Sequence, residues 1–194
     1  KKNGSFNSIF TFPVPEYDGD ISFNSIVGGC ANTITGSISS ILGGQFNSIS
    51  GSFNSTILGG CGNLITPNDT EPFSYESGSI YNLIGEGDNN TIISTQYASI
   101  LQGRHNQVGY SGSYQDTDEN PLNRGGYYSS ISNGLGNTVH PQFSTILNGK
   151  DNIITSGSAT LGSLGPQEGH NIIVGGEENS IHSSSYSTIA GGYH

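Results

Sequence analysis

The chain has 194 residues with 5 basic and 15 acidic side chains, a formal net charge of −10, 30 glycines, and neither Met nor Trp. So few basic residues argue against binding to nucleic acid, where Lys and Arg neutralise phosphates, and against an anionic membrane surface. Strong helix formers are also scarce, so the composition does not favour a helical or α/β core. No apolar run long enough to span a membrane and no signal peptide are visible, and the missing initiator Met suggests a processed chain or a fragment.

A short motif repeats along the whole chain. It reads FNSIVGGCANTITG from Phe23 to Gly36 and returns as ISSILGGQFNSISG from Ile38 to Gly51. Units of this size cannot bury their aliphatic side chains alone, so a fixed period predicts stacked coils that share one core. Taking the first aliphatic of each repeat as its index gives eleven coils, most of them 15 or 16 residues apart: Ile9, Ile26, Ile41, Ile57, Ile84, Ile100, Ile131, Ile146, Leu161, Ile173 and Ile189.

Three other positions recur in register with the index. A second aliphatic follows eight residues later, as at Ile49, which predicts two short strands per coil. Asn comes six residues after the index, as at Asn47, and predicts a ladder of stacked amides that also holds the turn backbone. Glycine pairs such as Gly43 and Gly44 predict the turn after the first strand. The sequence thus predicts one all-β domain over residues 1–194, a parallel β-solenoid (β-roll) of about eleven 15- to 16-residue coils with two short strands each and three loop insertions.

The alternation of strand side chains assigns an inside and an outside. A thin coil encloses little more than the index Ile and small residues, so the index side is predicted to face inward. The outside then carries an aromatic row and an aliphatic row, and two apolar rows of this length predict a partner surface. An alternative is that the aromatics only cover the corner of the next coil. The residues predicted to mediate self-association are Phe23, Val27, Leu42, Phe53, Leu58, Tyr97, Leu101, Phe143, Leu147, Val174 and Tyr186.

Three insertions interrupt the period, at 10–20, 66–79 and 109–127. They are rich in Pro, acids and aromatics, as loops that project from a solenoid are expected to be. Near Leu161 the pattern also fails, which predicts a local bulge. Five loop aromatics are candidates for stacking on a sugar, and they define the alternative function of a carbohydrate-binding or carbohydrate-cleaving solenoid: Tyr17, Phe73, Tyr75, Tyr110 and Tyr114.

No motif identifies a catalytic residue or a cofactor site. The acidic loop sequence DTDEN at 116–120 could supply oxygen ligands to Ca²⁺, but neither an EF-hand nor a nonapeptide spacing is present. The five histidines have no zinc-site spacing. Cys30 and Cys61 occupy the same position two coils apart, about 10 Å, which exceeds disulfide reach and predicts two thiols. We therefore expect a protein without catalytic activity or a resident cofactor.

The S-I-x-G-G-x-x-N-x-I-x-G pattern of FNSIVGGCANTITG and its copies resembles the head repeats of YadA-type trimeric autotransporter adhesins, and related repeats of phage and viral fibre proteins. The resemblance implies a left-handed parallel β-roll, commonly trimeric, that is displayed on a surface and binds matrix or a receptor.

These observations favour a structural or adhesive fibre segment, extracellular or on a virion or cell surface, whose first partner is another copy of itself. Without a capping helix, the end coils would expose strand edges, which predicts head-to-tail stacking into a filament as a second route of assembly. A trimer and a filament both remain open, as does binding to a surface glycan or receptor.

Overall fold

The computed structural model describes residues 6–10, 23–67, 79–93, 95–109, 128–155 and 169–193. Every named element in these ranges is a β-strand, and every pairing between strands is parallel. The predicted all-β parallel solenoid is confirmed. Within the same ranges the chain offers no helical segment with the length and hydropathy needed to cross a bilayer.

The strands form two sheets, and each coil contributes to both. The first sheet has nine strands that carry the index residues: β2 (Ser25–Ile26), β4 (Ser40–Ile41), β6 (Thr56–Ile57), β9 (Leu83–Ile84), β11 (Ser99–Ile100), β13 (Ser130–Ile131), β15 (Thr145–Ile146), β17 (Ile172–Ile173) and β19 (Thr188–Ile189). The second sheet has ten strands: β1 (Ser8–Phe10), β3 (Thr33–Ser37), β5 (Ser48–Phe53), β7 (Leu64–Thr66), β8 (Ser79–Ile80), β10 (Thr91–Ile93), β12 (Gln107–Gly109), β14 (Thr138–Val139), β16 (Ile153–Thr155) and β18 (Ser180–His182).

The core is a double column of aliphatic side chains between the two sheets. Each sheet contributes one side chain per coil, because alternate residues of a strand point to opposite faces. Most of these side chains are fully buried, and Ile26 and Ile189 pack against them at the two ends. The inward assignment of the index residues is confirmed.

The described residues contain nine first strands, fewer than the eleven coils predicted from the index positions. Ile9 lies in β1 and pairs with Ile34 of the second sheet. The same Phe-Asn-Ser-Ile sequence leads into the first strand β2, so the pairing decides the assignment. The Asn7 side chain accepts a hydrogen bond from the Asn32 backbone N–H at 3.0 Å, as the members of the asparagine ladder do. Leu161 lies outside the described residues, but β15 pairs directly with β17, so no strand lies between them.

The predicted asparagine ladder is confirmed and runs along the interior corner. At each step the backbone N–H of one Asn donates to the side-chain carbonyl of the Asn before it, as from Asn47 to Asn32 and from Asn106 to Asn90, at 3.0 to 3.1 Å. The amide N–H of Asn106 also donates to the Gly134 carbonyl of the next coil at 2.9 Å. Each Asn therefore joins its own turn to the two neighbouring coils.

The glycine turns are confirmed, and the two members of a pair have different roles. Gly44 has φ +89°, and a Cβ there would lie 2.2 Å from the Gly60 carbonyl oxygen of the next coil. A Cβ added at Gly43 would meet no atom within 4 Å. Close stacking of turn backbones requires glycine at the second position, because only glycine combines positive φ with the absence of a Cβ.

The residues two before each index form a second inward column, as the strand alternation predicts, but the hydrogen bonds of its mostly polar members were not predicted. The Ser39 hydroxyl accepts from the Ser55 backbone N–H at 3.4 Å, and the Asn82 side-chain oxygen accepts from the Ala98 N–H at 2.9 Å. Because Ser and Asn alternate irregularly at this position, no single-residue pattern revealed these bonds. Both corners of the coil are thus held by side chains that accept backbone donors.

Four of the five internal gaps in the described residues fall at the same point of the coil. They begin just after the second strands β1, β7, β12 and β16 and end before the next first strand. The ladder continues across them, since β7 pairs with β10 and β16 with β18. The predicted insertions at 10–20, 66–79 and 109–127 coincide with three of these gaps, except that their end residues Phe10, Thr66, Ser79 and Gly109 lie in strands. The bulge predicted near Leu161 lies outside the described residues. The loop aromatics Tyr17, Phe73, Tyr75, Tyr110 and Tyr114 lie outside the described residues.

Candidate interaction surface

The outer side of the first sheet carries three parallel columns of side chains, which together we call the first-sheet face. The ring column lies three residues before each index Ile, the hydroxyl column one residue before it, and the aliphatic column one residue after it. The index Ile points inward, so its two neighbours point outward.

We call each position of a column a rung, with one rung per coil. The side chains of the last six rungs of the ring column form a continuous stack of rings. Neighbouring rings have centroid separations of 4.8 to 5.3 Å and planes within 13° of each other. From the second rung onward the backbone is left-handed, with φ between +48° and +60°, a conformation that costs about 1–2 kcal/mol at a non-glycine residue. The column consists of Phe23, Ile38, Asn54, Tyr81, Tyr97, Tyr128, Phe143, His170 and Tyr186.

The sequence located this column but misassigned three of its rungs. Phe23, Tyr97, Phe143 and Tyr186 are exposed, as predicted. The prediction that Phe53 is an exposed member of this column is wrong, because Phe53 is only 5 % exposed and lies within β5. It lies four residues before Ile57 instead of three, so Asn54 takes the ring position. The ladder between β3 and β5 shifts by one residue shortly before Phe53.

Tyr81 and His170 belong to the stack and were missed. Each lies three residues before its index, at Ile84 and Ile173. That spacing is the signal that could have found them. His170 was not predicted because imidazole is not counted as an apolar residue, although it stacks on Phe143 and Tyr186 with interplanar angles of 2°.

The aliphatic column forms the other edge of the first-sheet face. Its large members are exposed, as predicted, with 42 to 46 % of the residue accessible at Leu42, Leu58, Leu101, Leu147 and Val174, and 73 % at Val27. Gly85, Ser132 and Ala190 occupy the remaining rungs.

The hydroxyl column separates the two apolar edges. Ser40 and Thr56 share a hydrogen bond of 3.2 Å, and Ser130 and Thr145 one of 3.1 Å. Leu83 and Ile172 interrupt the column, so the middle of the face is uncharged but only partly polar.

The first-sheet face, as far as the structure describes it, contains no Asp, Glu, Lys or Arg. All such residues in the described ranges lie at the glycine-turn corner: Glu86, Asp88, Arg104, Lys150, Asp151, Glu177 and Glu178. Depletion of charge distinguishes the cores of protein interfaces from ordinary surface. Within the described residues, the first-sheet face therefore has the uncharged character that is typical of an interface core.

The face is large enough for a specific contact. Nine rungs at about 4.8 Å give a length of roughly 38 Å, and four residue steps at about 3.3 Å give a width of roughly 13 Å. Two such faces would bury on the order of 1,000 Å² in total, the lower limit for a specific protein interface.

The glycine-turn corner forms a shallow groove of about 670 Å³, which is a second candidate for ligand binding. Its cations already have partners: Arg104 Nε lies 3.0 Å from Asp88 Oδ2, and Lys150 bonds to Glu177. The hydrogen bond and charge of Glu177 raise the pKa of Lys150 above its usual value. These ion pairs neutralise the groove, so it offers little attraction to an anionic ligand.

The described part of the chain gives little support for a metal site or a disulfide bond. No group of three His, Cys, Asp or Glu side chains there is placed to hold a metal ion. Cys30 and Cys61 are both thiols, and Gln45 lies between them in the ladder. The acidic residues of DTDEN, which could supply Ca²⁺ ligands, lie outside the described ranges.

No model of a known protein family matches this chain, and no curated protein matches it significantly. The resemblance to YadA-type heads and to viral fibre repeats therefore stays a prediction.

Proposed function

We propose that this chain is a structural or adhesive segment of a fibre, and that it self-associates through the first-sheet face. The observation that carries the proposal is a single uncharged face with an exposed ring column and an exposed aliphatic column along its nine rungs. Exposed apolar patches of this extent on monomeric proteins usually mark interaction sites.

A second copy is the partner that fits best. The face repeats every rung, and an identical copy repeats at the same interval, so contacts made at one rung recur at all the others. The acids of the described ranges lie at the glycine-turn corner, away from this contact. Location on a virion or cell surface, and binding to a matrix or receptor, belong to the same proposal and rest on the resemblance.

Carbohydrate binding is the weaker alternative. Sugar stacking needs an open ring face, whereas each ring inside the stack is covered on both sides, as Tyr97 is by Tyr81 and Tyr128 at 5.0 and 4.8 Å. The stack therefore presents mainly ring edges to solvent. The loop aromatics of that hypothesis, outside the described residues, give it no further support.

The test compares charge insertion at two exposed leucines. Leu101→Glu places a carboxylate on the first-sheet face, and Leu135→Glu places one at the glycine-turn corner, in the bridge ladder between Arg104 and Lys150. Sedimentation equilibrium over a wide concentration range should show that the wild type associates. Leu101→Glu should weaken this association at least about tenfold, because burying a lone carboxylate is costly. Leu135→Glu should not weaken it.

A wild type that stays monomeric at high concentration would overturn the proposal, as would equal weakening by both substitutions. Circular dichroism of each variant checks that the coil is intact. Negative-stain electron microscopy of the wild type then separates a compact oligomer from a filament built by end-to-end stacking.

A further inference from the structure

Three neighbouring rungs of the ring column carry phenol groups, and we call them the tyrosine triad: Tyr81, Tyr97 and Tyr128. Their successive ring centroids lie 5.0 and 4.8 Å apart, with interplanar angles of 13° and 2°. Phe143 and His170 separate the triad from Tyr186 at the far end of the stack. Within the described stack, tyrosines are therefore direct neighbours only in the triad.

The geometry brings the reactive carbons of neighbouring phenols together. The backbone φ angles of the three tyrosines are +56°, +57° and +51°, so their side chains leave the coil at similar angles. Equivalent atoms of stacked coils are about 4.8 Å apart, and this spacing applies to the ortho carbons that flank the C–OH carbon of each ring. Tyr97 and Tyr128 are the closer and more nearly parallel pair.

The phenols of the triad are open to solvent. Tyr81, Tyr97 and Tyr128 are 51, 46 and 53 % exposed. Stacking covers the faces of the rings and leaves their edges accessible, and the edges carry the hydroxyl groups and the ortho carbons. An arrangement that is closed to a stacking sugar is thus open to an oxidant that attacks the phenol edge.

We propose that the tyrosine triad is a site of oxidative cross-linking, and that Tyr97 and Tyr128 form its main product, a dityrosine that joins two neighbouring coils. The oxidant is hydrogen peroxide, used by a haem peroxidase. Each phenol loses one electron and one proton, and the two radicals form a carbon–carbon bond between ortho carbons. The ortho hydrogens then move to the phenol oxygens and restore both hydroxyl groups, while the two electrons and two protons reduce the peroxide to two molecules of water.

The stack favours this reaction within one chain. Two radicals that are held on adjacent rungs meet without diffusing together, which gives them a high effective concentration. The new bond would close the chain across the insertion at 109–127, and a covalent link of this kind restricts the unfolded chain. Because both rings belong to one copy, the proposal does not depend on self-association.

Tyrosine-to-phenylalanine substitutions test the assignment, because phenylalanine keeps the ring of the stack but lacks the hydroxyl group from which the radical forms. The substitutions are made in a Cys30→Ser/Cys61→Ser background, since thiols consume peroxide. Dilute protein is treated with a haem peroxidase and hydrogen peroxide, and the monomeric product is digested with trypsin. Arg104 and Arg124 lie between the two tyrosines, so the cross-link joins two fragments that trypsin would otherwise separate, and mass spectrometry measures the joined fragment.

Tyr97→Phe and Tyr128→Phe should each lower the yield of the joined fragment at least about tenfold relative to the unsubstituted background, because each removes one of the two phenols that are held together. Tyr186→Phe is the matched control and should leave the yield unchanged, since its ring neighbour is His170. Unfolding the background protein in urea before oxidation should also lower the yield at least about tenfold, because it separates the rungs.

An undiminished yield in Tyr97→Phe or Tyr128→Phe would overturn the proposal, as would an equal yield from the unfolded chain. Dityrosine found only between separate molecules, or no dityrosine at all, would overturn it as well. A wild type that stays monomeric contradicts the proposed self-association and leaves this cross-link unaffected, so the two proposals fail separately.

Discussion

At the scale of single residues, the stability of this coil depends on buried side chains that bond to backbone groups. Asn106 is buried, and its side-chain oxygen accepts from the backbone N–H of Asn137 at 3.0 Å and from the amide of Asn137 at 3.2 Å. Its own amide donates to Asn90 at 3.1 Å. One asparagine therefore joins three successive coils.

We expect Asn106→Ala to lower the free energy of unfolding by about 3 kcal/mol, because the substitution leaves the buried Asn137 N–H without its acceptor and opens a small cavity. Asn148→Ala, at an exposed position of the glycine-turn corner, is the control and should change it by less than about 0.5 kcal/mol. Urea unfolding followed by circular dichroism measures both. Similar losses in the two variants would show that the ladder does not stabilise the coil.

His140 makes stability depend on pH. Burial lowers the pKa of His140 below its usual value of 6.5, so the folded state favours the neutral ring. The unfolded chain then binds more protons between that lowered pKa and pH 6.5, and the free energy of unfolding falls as pH decreases through this window.

We therefore expect the wild type to lose more stability than His140→Gln when the pH is lowered from about 7.5 to about 5, a range that spans the titration of the unfolded histidine. The difference between the two proteins isolates this histidine from the carboxylates, which titrate in both. Urea unfolding at the two pH values measures it, and a difference that does not change with pH would contradict the assignment.

At the scale of the element, the coil is a cycle of two short strands and two tight corners, and the corners decide its shape. One corner stacks glycines of positive φ against carbonyl oxygens of the next coil, and the other places the ring column in the left-handed region. Such backbone is unfavourable in isolation. It persists because every corner is bonded to the same corner of its neighbours, as where Tyr128 N–H donates to Gln96 O at 3.1 Å.

The glycine pair after β4 offers a matched test of this corner. Gly44→Ala forces a Cβ against the neighbouring coil and should cost at least about 2 kcal/mol. Gly43→Ala meets open space and should change stability by less than about 0.5 kcal/mol. Thermal or urea unfolding compares the two, and equal costs would show that the close approach of turns is not what selects glycine.

At the scale of the whole molecule, the described ranges place their charges at one corner and their exposed apolar columns on another face. The charged corner holds its ions in pairs within the ladder, Asp88 with Arg104 and Lys150 with Glu177. The first-sheet face therefore presents apolar side chains and hydroxyl groups. This division makes the face suitable for repeated contacts between copies, as the proposed fibre requires.

The period, the two strands per coil, the inward isoleucines, the glycine turns and the asparagine ladder could all be predicted from the sequence, because each recurs at a fixed distance from an index residue. Because the pattern repeats, every coil gives the same evidence for each of these features. The solenoid and the outward columns followed from that regularity.

Which rung each residue joins was decided only by the tertiary structure. Asn7 and Ile9 fit the spacing of a first strand but pair in the second sheet, and Leu161 fits a spacing that the ladder does not use. Parallel pairing joins residues 15 or more positions apart, and a shift of one residue reverses the face of a side chain. Local spacing alone could therefore not assign Asn7, Ile9 and Leu161. Phe53 differs from them, because its distance of four residues from Ile57 already separates it from the ring column.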